Sequence, residues 1–196
     1  MQLKKKIGGN ESFLDRVAGM GCTKILILQA TGLYAPHIIL AMATAVAQRD
    51  CVGVGILRSS FPENDPFGTF VAVKKNGRYK VVIVEQEIRN EATRQLIDAS
   101  GSYLPYNTGL YAFDSSLLQS GSLPDYATPP KEIIPGIPRA PKVGYAATDL
   151  FTLAHNAAVL GVSAQSFGVI KNADDLEIVA LLGKQMGIDT LCTACT

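Results

Sequence analysis

The period of the hydrophobic positions changes several times along the chain, and each change marks a predicted element. Phe13, Leu14, Val17 and Met20 recur at helical spacing over residues 12–20, with Asn10 or Glu11 available as a cap and Gly21 as a stop. Residues 24–28 read Lys-Ile-Leu-Ile-Leu without alternation, the pattern of a strand buried on both faces of a parallel sheet. Pro36 then opens a helix rich in Ala, Ile and Met that runs to Arg49, and residues 51–57 form a second apolar strand. Strand, helix and strand at this spacing predict a right-handed βαβ crossover. Ligands on such sheets bind beyond the carboxyl ends of the strands, so the loop at residues 29–34 is a candidate site by position.

The middle of the chain changes to period two. Residues 67–74 and 78–85 read as strands of a hairpin turned through Asn76-Gly77. Residues 87–99 are polar and predict a helix. In residues 104–113, Pro105 and Asn107-Thr108-Gly109 supply a turn, and Leu110, Tyr111 and Phe113 a short buried strand. Asp114 caps a short helix to Gln119. Six of the ten prolines, at positions 124, 129, 130, 135, 138 and 141, fall within residues 122–142, which excludes regular structure there. A loop this long in a compact domain is more often functional than idle. A helix over 148–155, strands over 159–162 and 167–170, and a helix from the cap Asn172 through Met186 complete the pattern. Asp174 and Asp175 stand in that last helix's first turn, where the dipole favours acids.

Composition narrows the function classes. The 196 residues suit one domain, which can bury roughly 70% of its unfolded-chain surface. With 18 basic and 17 acidic residues the net charge is +1, so there is no electrostatic footprint for nucleic acid or an acidic membrane. The basic run Lys4-Lys5-Lys6 reads as a solvated tail. No apolar run approaches a membrane span and no signal peptide is evident, so a cytoplasmic chain is expected. Cys22, Cys51, Cys192 and Cys195 read as reduced thiols. Cys192 and Cys195 have zinc-like spacing, but no second close ligand pair exists, and His37 and His155 are far apart; no metal ligand is identified.

The candidate chemistry centres on Asn107. Its amide either caps a turn by bonding its own backbone, or offers two donors and an acceptor oxygen to neighbouring hydroxyls of a sugar. Gly109 would leave room for a ligand to approach the backbone. Gly68, Glu85 and Lys171 each have an ordinary reading as well: a bend at a strand start, an exposed hairpin carboxylate and a solvated surface cation.

Three segments, in order, resemble the nucleotidyltransferases that make UDP-sugars from UTP and a sugar 1-phosphate. Phe67-Gly68-Thr69-Phe70, followed by the Asn76-Gly77 hairpin and Val84-Glu85, resembles that family's glycine-bearing strand and the downstream glutamate that holds sugar hydroxyls. Residues 106–113, Tyr-Asn-Thr-Gly-Leu-Tyr-Ala-Phe, are similar to its asparagine-bearing strand at the sugar. Residues 167–176 resemble the late segment in which a lysine, here Lys171, reaches the phosphates just before a helix. Leu123-Pro124 with Lys131 and Ile134 is like the family's proline-rich stretch near the sugar. The resemblance covers residues 24–182.

It implies an α/β fold: a mixed, mostly parallel sheet flanked by helices, of the nucleotide-diphospho-sugar transferase type, lacking the N-terminal nucleotide-binding part. The implied division is an N-terminal helix (1–23), a sheet core (24–121), the proline-rich loop (122–142), a C-terminal sugar and phosphate segment (143–188) and a tail (189–196). Gly68, Glu85, Asn107, Gly109 and Lys131 would bind sugar and phosphate, and Lys171 would neutralise phosphate in catalysis. A sugar 1-phosphate needs these types: an amide and a carboxylate for its hydroxyls, a glycine where its ring meets backbone, and a cation for its phosphate. The implied partners are UTP or a UDP-sugar and a sugar 1-phosphate, with Mg²⁺ as the family's cofactor.

Two departures bear on activity. Nothing matches the family's glycine-rich triphosphate loop, since Gly8-Gly9 lacks the downstream pattern. The loop after residues 24–28 reads Gln29-Ala30-Thr31-Gly32-Leu33, with Thr31 or Gly32 where the family has a magnesium-binding aspartate. A neutral residue is a poor Mg²⁺ ligand. The first expectation is therefore the sugar-phosphate portion of a sugar-nucleotide pyrophosphorylase, inactive alone. The alternative is a non-catalytic sugar-nucleotide-binding paralogue or subunit, and a third is an α/β scaffold without a small-molecule site. Strand 24–28 should be central, so missing neighbours would leave an edge that is exposed, paired with a second chain, or covered by the N-terminal segment.

Overall fold

The computed structural model describes residues 16–17, 19–58, 68–75, 77–84, 104–118, 126–128, 142–144, 147–170 and 173–187. The predicted helix at 87–99, the tail, Asn76, Glu85, Lys131, Lys171 and Asn172 lie outside these residues. The described strands are β1 (Lys24–Ile27), β2 (Gly32–Tyr34), β3 (Cys51–Arg58), β4 (Thr69–Lys75), β5 (Arg78–Val84), β6 (Leu104–Asp114), β7 (Tyr126–Thr128), β8 (Lys142–Gly144), β9 (Ala157–Val162) and β10 (Phe167–Val169). The helices are α1 (Pro36–Val46), α2 (Leu150–Leu153) and α3 (Asp175–Gln185).

Six strands form the main sheet in the order β5-β4-β6-β3-β9, with β1 also paired to β6. The sheet is mixed. β1, β3, β4 and β9 run one way, and β5 and β6 the other. Because β6 lies between the like-directed strands, the parallel ladder among the described pairs is β3 with β9. Residues 24–58 thus contain two parallel strands joined through α1, as the spacing predicts, but β6 separates them.

Both faces of the sheet are covered. On one, Ile38, Met42 and Val46 of α1 pack on Val52, Val54, Ile56, Tyr106, Leu110 and Ala112. On the other, Phe70, Tyr111, Phe113, Leu117, Leu118, Leu150 and Phe151 form a second core. This explains β1, which sequence reading placed at the centre of the sheet. Ile25 and Ile27 pack against the second core and Leu26 against the first, so the strand lacks alternation. It is nonetheless only half-buried, and β6 is its one strand neighbour among the described residues.

Local signals set many boundaries. Gly21 takes φ +75° and Cys22 N–H donates to Val17 O at 3.4 Å, so a left-handed glycine follows the helical residues 16, 17 and 19. Pro36 sits in the first turn of α1, and Lys75 pairs with Arg78 across the two-residue Asn-Gly turn. The Asp114 carboxylate accepts from Ser116 N–H at 2.9 Å and starts a 3₁₀ turn over Ser115–Leu118.

Four expectations are corrected. The loop at 29–34 ends in β2, which pairs with β10 and ties the loop down. Pro105 and Asn107-Thr108-Gly109 do not break the chain, because β3 and β4 pair with the flanks and hold 104–114 as one strand. The proline-rich stretch retains β7, which pairs antiparallel with β8 through positions lacking proline. The helix at 148–155 shrinks to a 3₁₀ turn and the four residues of α2.

Candidate functional site

β6 is shared along one edge by two strands that do not meet. β1 pairs with its later half, from Lys24 opposite Asp114 to Ile27 opposite Tyr111. β4 joins its earlier half at Thr69 opposite Tyr106, and Asn107 N–H donates to Gly68 O at 2.8 Å. The stretch between, Asn107 to Gly109, faces the end of β1 and the start of β4. A split between strands at the carboxyl end of β1 is where open α/β sheets place ligands.

The strand bulges there. Gly53 pairs with Tyr111 and Gly55 with Asn107, so Thr108, Gly109 and Leu110 stand against Val54 alone. Buried Thr108 donates its hydroxyl to Val54 O at 2.8 Å and accepts from Leu110 N–H at 3.3 Å. Gly109 takes φ +75°, which only glycine adopts without strain. Asn107 Oδ1 accepts from Gly109 N–H at 3.0 Å and from the Tyr111 hydroxyl at 2.8 Å.

The backbone-capping reading of Asn107 is therefore correct, and it does not use up the side chain. Two donors on Oδ1 orient the amide, so Nδ2 is the free end, with two N–H groups and no partner among the described residues.

Gln29 covers the bulge from β1. A Cβ built on Gly109 would lie 3.1 Å from Gln29 Oε1, and Gln29 Nε2 donates to the Thr31 hydroxyl at 3.3 Å. The loop is anchored because Gly32 N–H and the Tyr34 hydroxyl both donate to Gln29 O. Burial pushes the Tyr34 hydroxyl above its ordinary pKa, and its ring stacks on Phe167 at 5.8 Å. Thr31 O accepts from Ile170 N–H at 2.9 Å, which pins the end of β10 to the same loop.

Of the residues predicted from sequence, Gly68, Asn107 and Gly109 come together at the split. Glu85, Lys131 and Lys171 lie outside the described residues. Sequence reading placed Gln29 in the candidate loop by position but gave no binding role to Gln29, Thr108 or Tyr111. Tyr111 was findable, since even spacing from Asn107 puts both on one face of a strand. Gln29 was not, because its place over Gly109 depends on how β1 and β6 pair.

Two cavities, of about 480 and 520 Å³, open around His37 and Ser166 at the start of α1, on the opposite side of the sheet from Tyr111. None of the predicted site residues lines either one. At the bulge, by contrast, Asn107 Nδ2 and Gln29 Oε1 have no hydrogen-bond partner among the described residues.

Among the described residues no group of three or more His, Cys, Asp or Glu could hold a metal ion, and no helix is long and apolar enough to cross a membrane.

No family model and no curated protein matches the sequence. Solved structures do match in fold. A protein of Entamoeba histolytica assigned as a UDP-N-acetylglucosamine pyrophosphorylase aligns with TM-score 0.65 and 15% identity, over 88% of this chain and 47% of its own. A Trypanosoma brucei UDP-N-acetylglucosamine pyrophosphorylase, solved with an inhibitor, aligns with TM-score 0.57 and 18% identity over 88% and 37%. A Leishmania major UDP-glucose pyrophosphorylase mutant, solved with UDP-glucose, aligns with TM-score 0.56 and 17% identity over 86% and 38%. The chain spans less than half the length of each. Its fold is that of part of the UDP-sugar pyrophosphorylases.

Proposed function

We propose that this chain is the sugar-phosphate-binding portion of a sugar-nucleotide pyrophosphorylase, a nucleotidyltransferase joining UTP to a sugar 1-phosphate. The observation that carries the reading is the meeting of Gly68, Asn107 and Gly109 at the split between β1 and β4, in a chain with this fold. In this reading Asn107 Nδ2 donates to a sugar hydroxyl and Gly68 lets the ring approach the backbone, while the space over Gly109 is taken by Gln29. Glu85 accepts from further hydroxyls, and Lys131 and Lys171 neutralise phosphate. The reaction is in-line attack of a sugar-phosphate oxygen on the α-phosphate of UTP, in which positioning and charge neutralisation supply most of the catalysis.

The loop Gln29-Ala30-Thr31-Gly32 favours a second reading, a non-catalytic sugar-nucleotide-binding paralogue or subunit, because it places no acid beside the site. Among the described residues β6 is the one strand paired with β1, and in this reading a second chain would join the other edge.

Both readings are tested by calorimetry with sugar 1-phosphates and UDP-sugars, together with pyrophosphate release from UTP and Mg²⁺. The expected result is binding without turnover at an enzyme-like rate. Lys171→Ala should weaken UDP-sugar binding more than Asn107→Ala, because charge-assisted bonds are roughly twice as strong as neutral ones. Absence of all binding would sink both readings, and rapid turnover would overturn the inactivity of this chain alone.

A further inference from the structure

We propose that Gln29 selects the ligand at the split between β1 and β4: its carboxamide oxygen, over Gly109, accepts from one sugar hydroxyl while Asn107 Nδ2 donates to another. The inference rests on the sugar-phosphate reading above and adds a residue that the resemblance does not assign to it.

Three observations carry it. First, Gln29 Oε1 occupies the space a Cβ at position 109 would need, 3.1 Å from that point, so the glycine and the glutamine share one cradle. Second, the two amides present opposite ends. Asn107 spends its oxygen on Gly109 N–H and the Tyr111 hydroxyl, leaving Nδ2; Gln29 spends Nε2 on Thr31, leaving Oε1. Among the described residues no donor reaches Oε1 and no acceptor reaches Nδ2. Third, both residues are half-buried; two bonds hold the Asn107 amide and one exposed bond the Gln29 amide, and a ligand that completes their free atoms adds bonds neither now makes.

A neutral donor and a neutral acceptor on either side of a glycine suit groups that both donate and accept: ring hydroxyls, or a hydroxyl beside an acetamido N–H. They suit phosphate less well, because its anionic oxygens would be repelled by Oε1, whereas a neutral ring hydroxyl would not. Gln29 should therefore act on sugar recognition and leave phosphate attraction alone.

The test compares glucose 1-phosphate, N-acetylglucosamine 1-phosphate and inorganic phosphate by calorimetry on the full chain, for the unaltered protein, Gln29→Met and Gln29→Glu. Gln29→Met keeps the side-chain length and removes the acceptor. It should lose about three- to tenfold in affinity for the sugar phosphates and nothing for inorganic phosphate. Gln29→Glu retains an acceptor oxygen; it should weaken all three ligands by repulsion while restoring the preference for sugar phosphate over phosphate. Unchanged preference in Gln29→Met, or none regained in Gln29→Glu, overturns the role of Gln29 and leaves the sugar-phosphate reading standing. If the unaltered chain binds the sugar phosphates no better than inorganic phosphate, that reading falls and this inference with it.

Discussion

Asp114 shows how one side chain joins a strand end to a turn. Lys24 Nζ donates to its carboxylate at 2.6 Å and Ser116 N–H at 2.9 Å, and these bonds hold its pKa down to about 2. A carboxylate whose pKa falls on folding contributes stability above its ordinary range. That contribution is lost as pH drops from about 4 to about 2. The pair is partly exposed, with side chains 33% and 28% accessible, so its worth is near the about 0.2–1 kcal/mol of surface pairs. Asp114→Asn keeps the Ser116 cap and removes the charge. Urea midpoints should show it less stable than the parent by up to about 1 kcal/mol at pH 7, with most of that deficit gone at pH 2, where the carboxylate is about half protonated. An equal deficit at both pH values would mean that the cap, and not the charge, carries the effect.

At the scale of the element, β6 is decided by its bulge. Three of its residues stand against Val54, and the extra length is absorbed by Gly109 at φ +75° and by the side chains of Asn107 and Thr108. Thr108 is the buried member, and its hydroxyl bonds both strands. Thr108→Val conserves volume and strips both bonds, leaving Val54 O and Leu110 N–H unsatisfied. The expected cost is about 1–3 kcal/mol by denaturant titration. A cost below about 0.5 kcal/mol, the ordinary range of surface changes, would mean that Asn107 and Gly109 hold the bulge by themselves.

Across the whole molecule, the hairpin β4–β5 is joined to the sheet less firmly than its neighbours. β4 has one register pair with β6, whereas β3 pairs with both β6 and β9 along most of its length. Phe70 adds to this attachment, beside Val81 and Ile83 against the same core and Lys80 Nζ donating to Thr152 O at 3.1 Å. The Phe70 ring meets Phe151 edge-on at 5.5 Å and lies where a Cβ on Gly53 would sit. Amides of β3, β6 and β9 should accordingly exchange hydrogen most slowly, with the hairpin opening at lower free energy. Phe70→Ala should speed exchange in the hairpin more than at the centre. Uniform acceleration of all strands would show that the hairpin and centre unfold as one unit.

Much of this molecule was legible in one dimension. Apolar runs, Pro36, the Asn76-Gly77 turn and Gly21 are local signals, and the strands and helices stand close to where those signals place them. Gly68, Asn107 and Gly109 were also readable as candidates, because a polar amide beside glycine in an apolar strand is unusual. What the sequence could not determine is neighbourhood. The same apolar run serves a central strand or a peripheral one when both sheet faces are covered, so β1 was misplaced. Asn107 and Gly109 read as a turn until β3 and β4, distant in sequence, paired with the flanks and made it a bulge. Gln29 stands over Gly109 only because β1 and β6, some eighty residues apart, lie side by side. Local propensity acts over a few residues, whereas pairing is settled by which surfaces the whole chain can bury together.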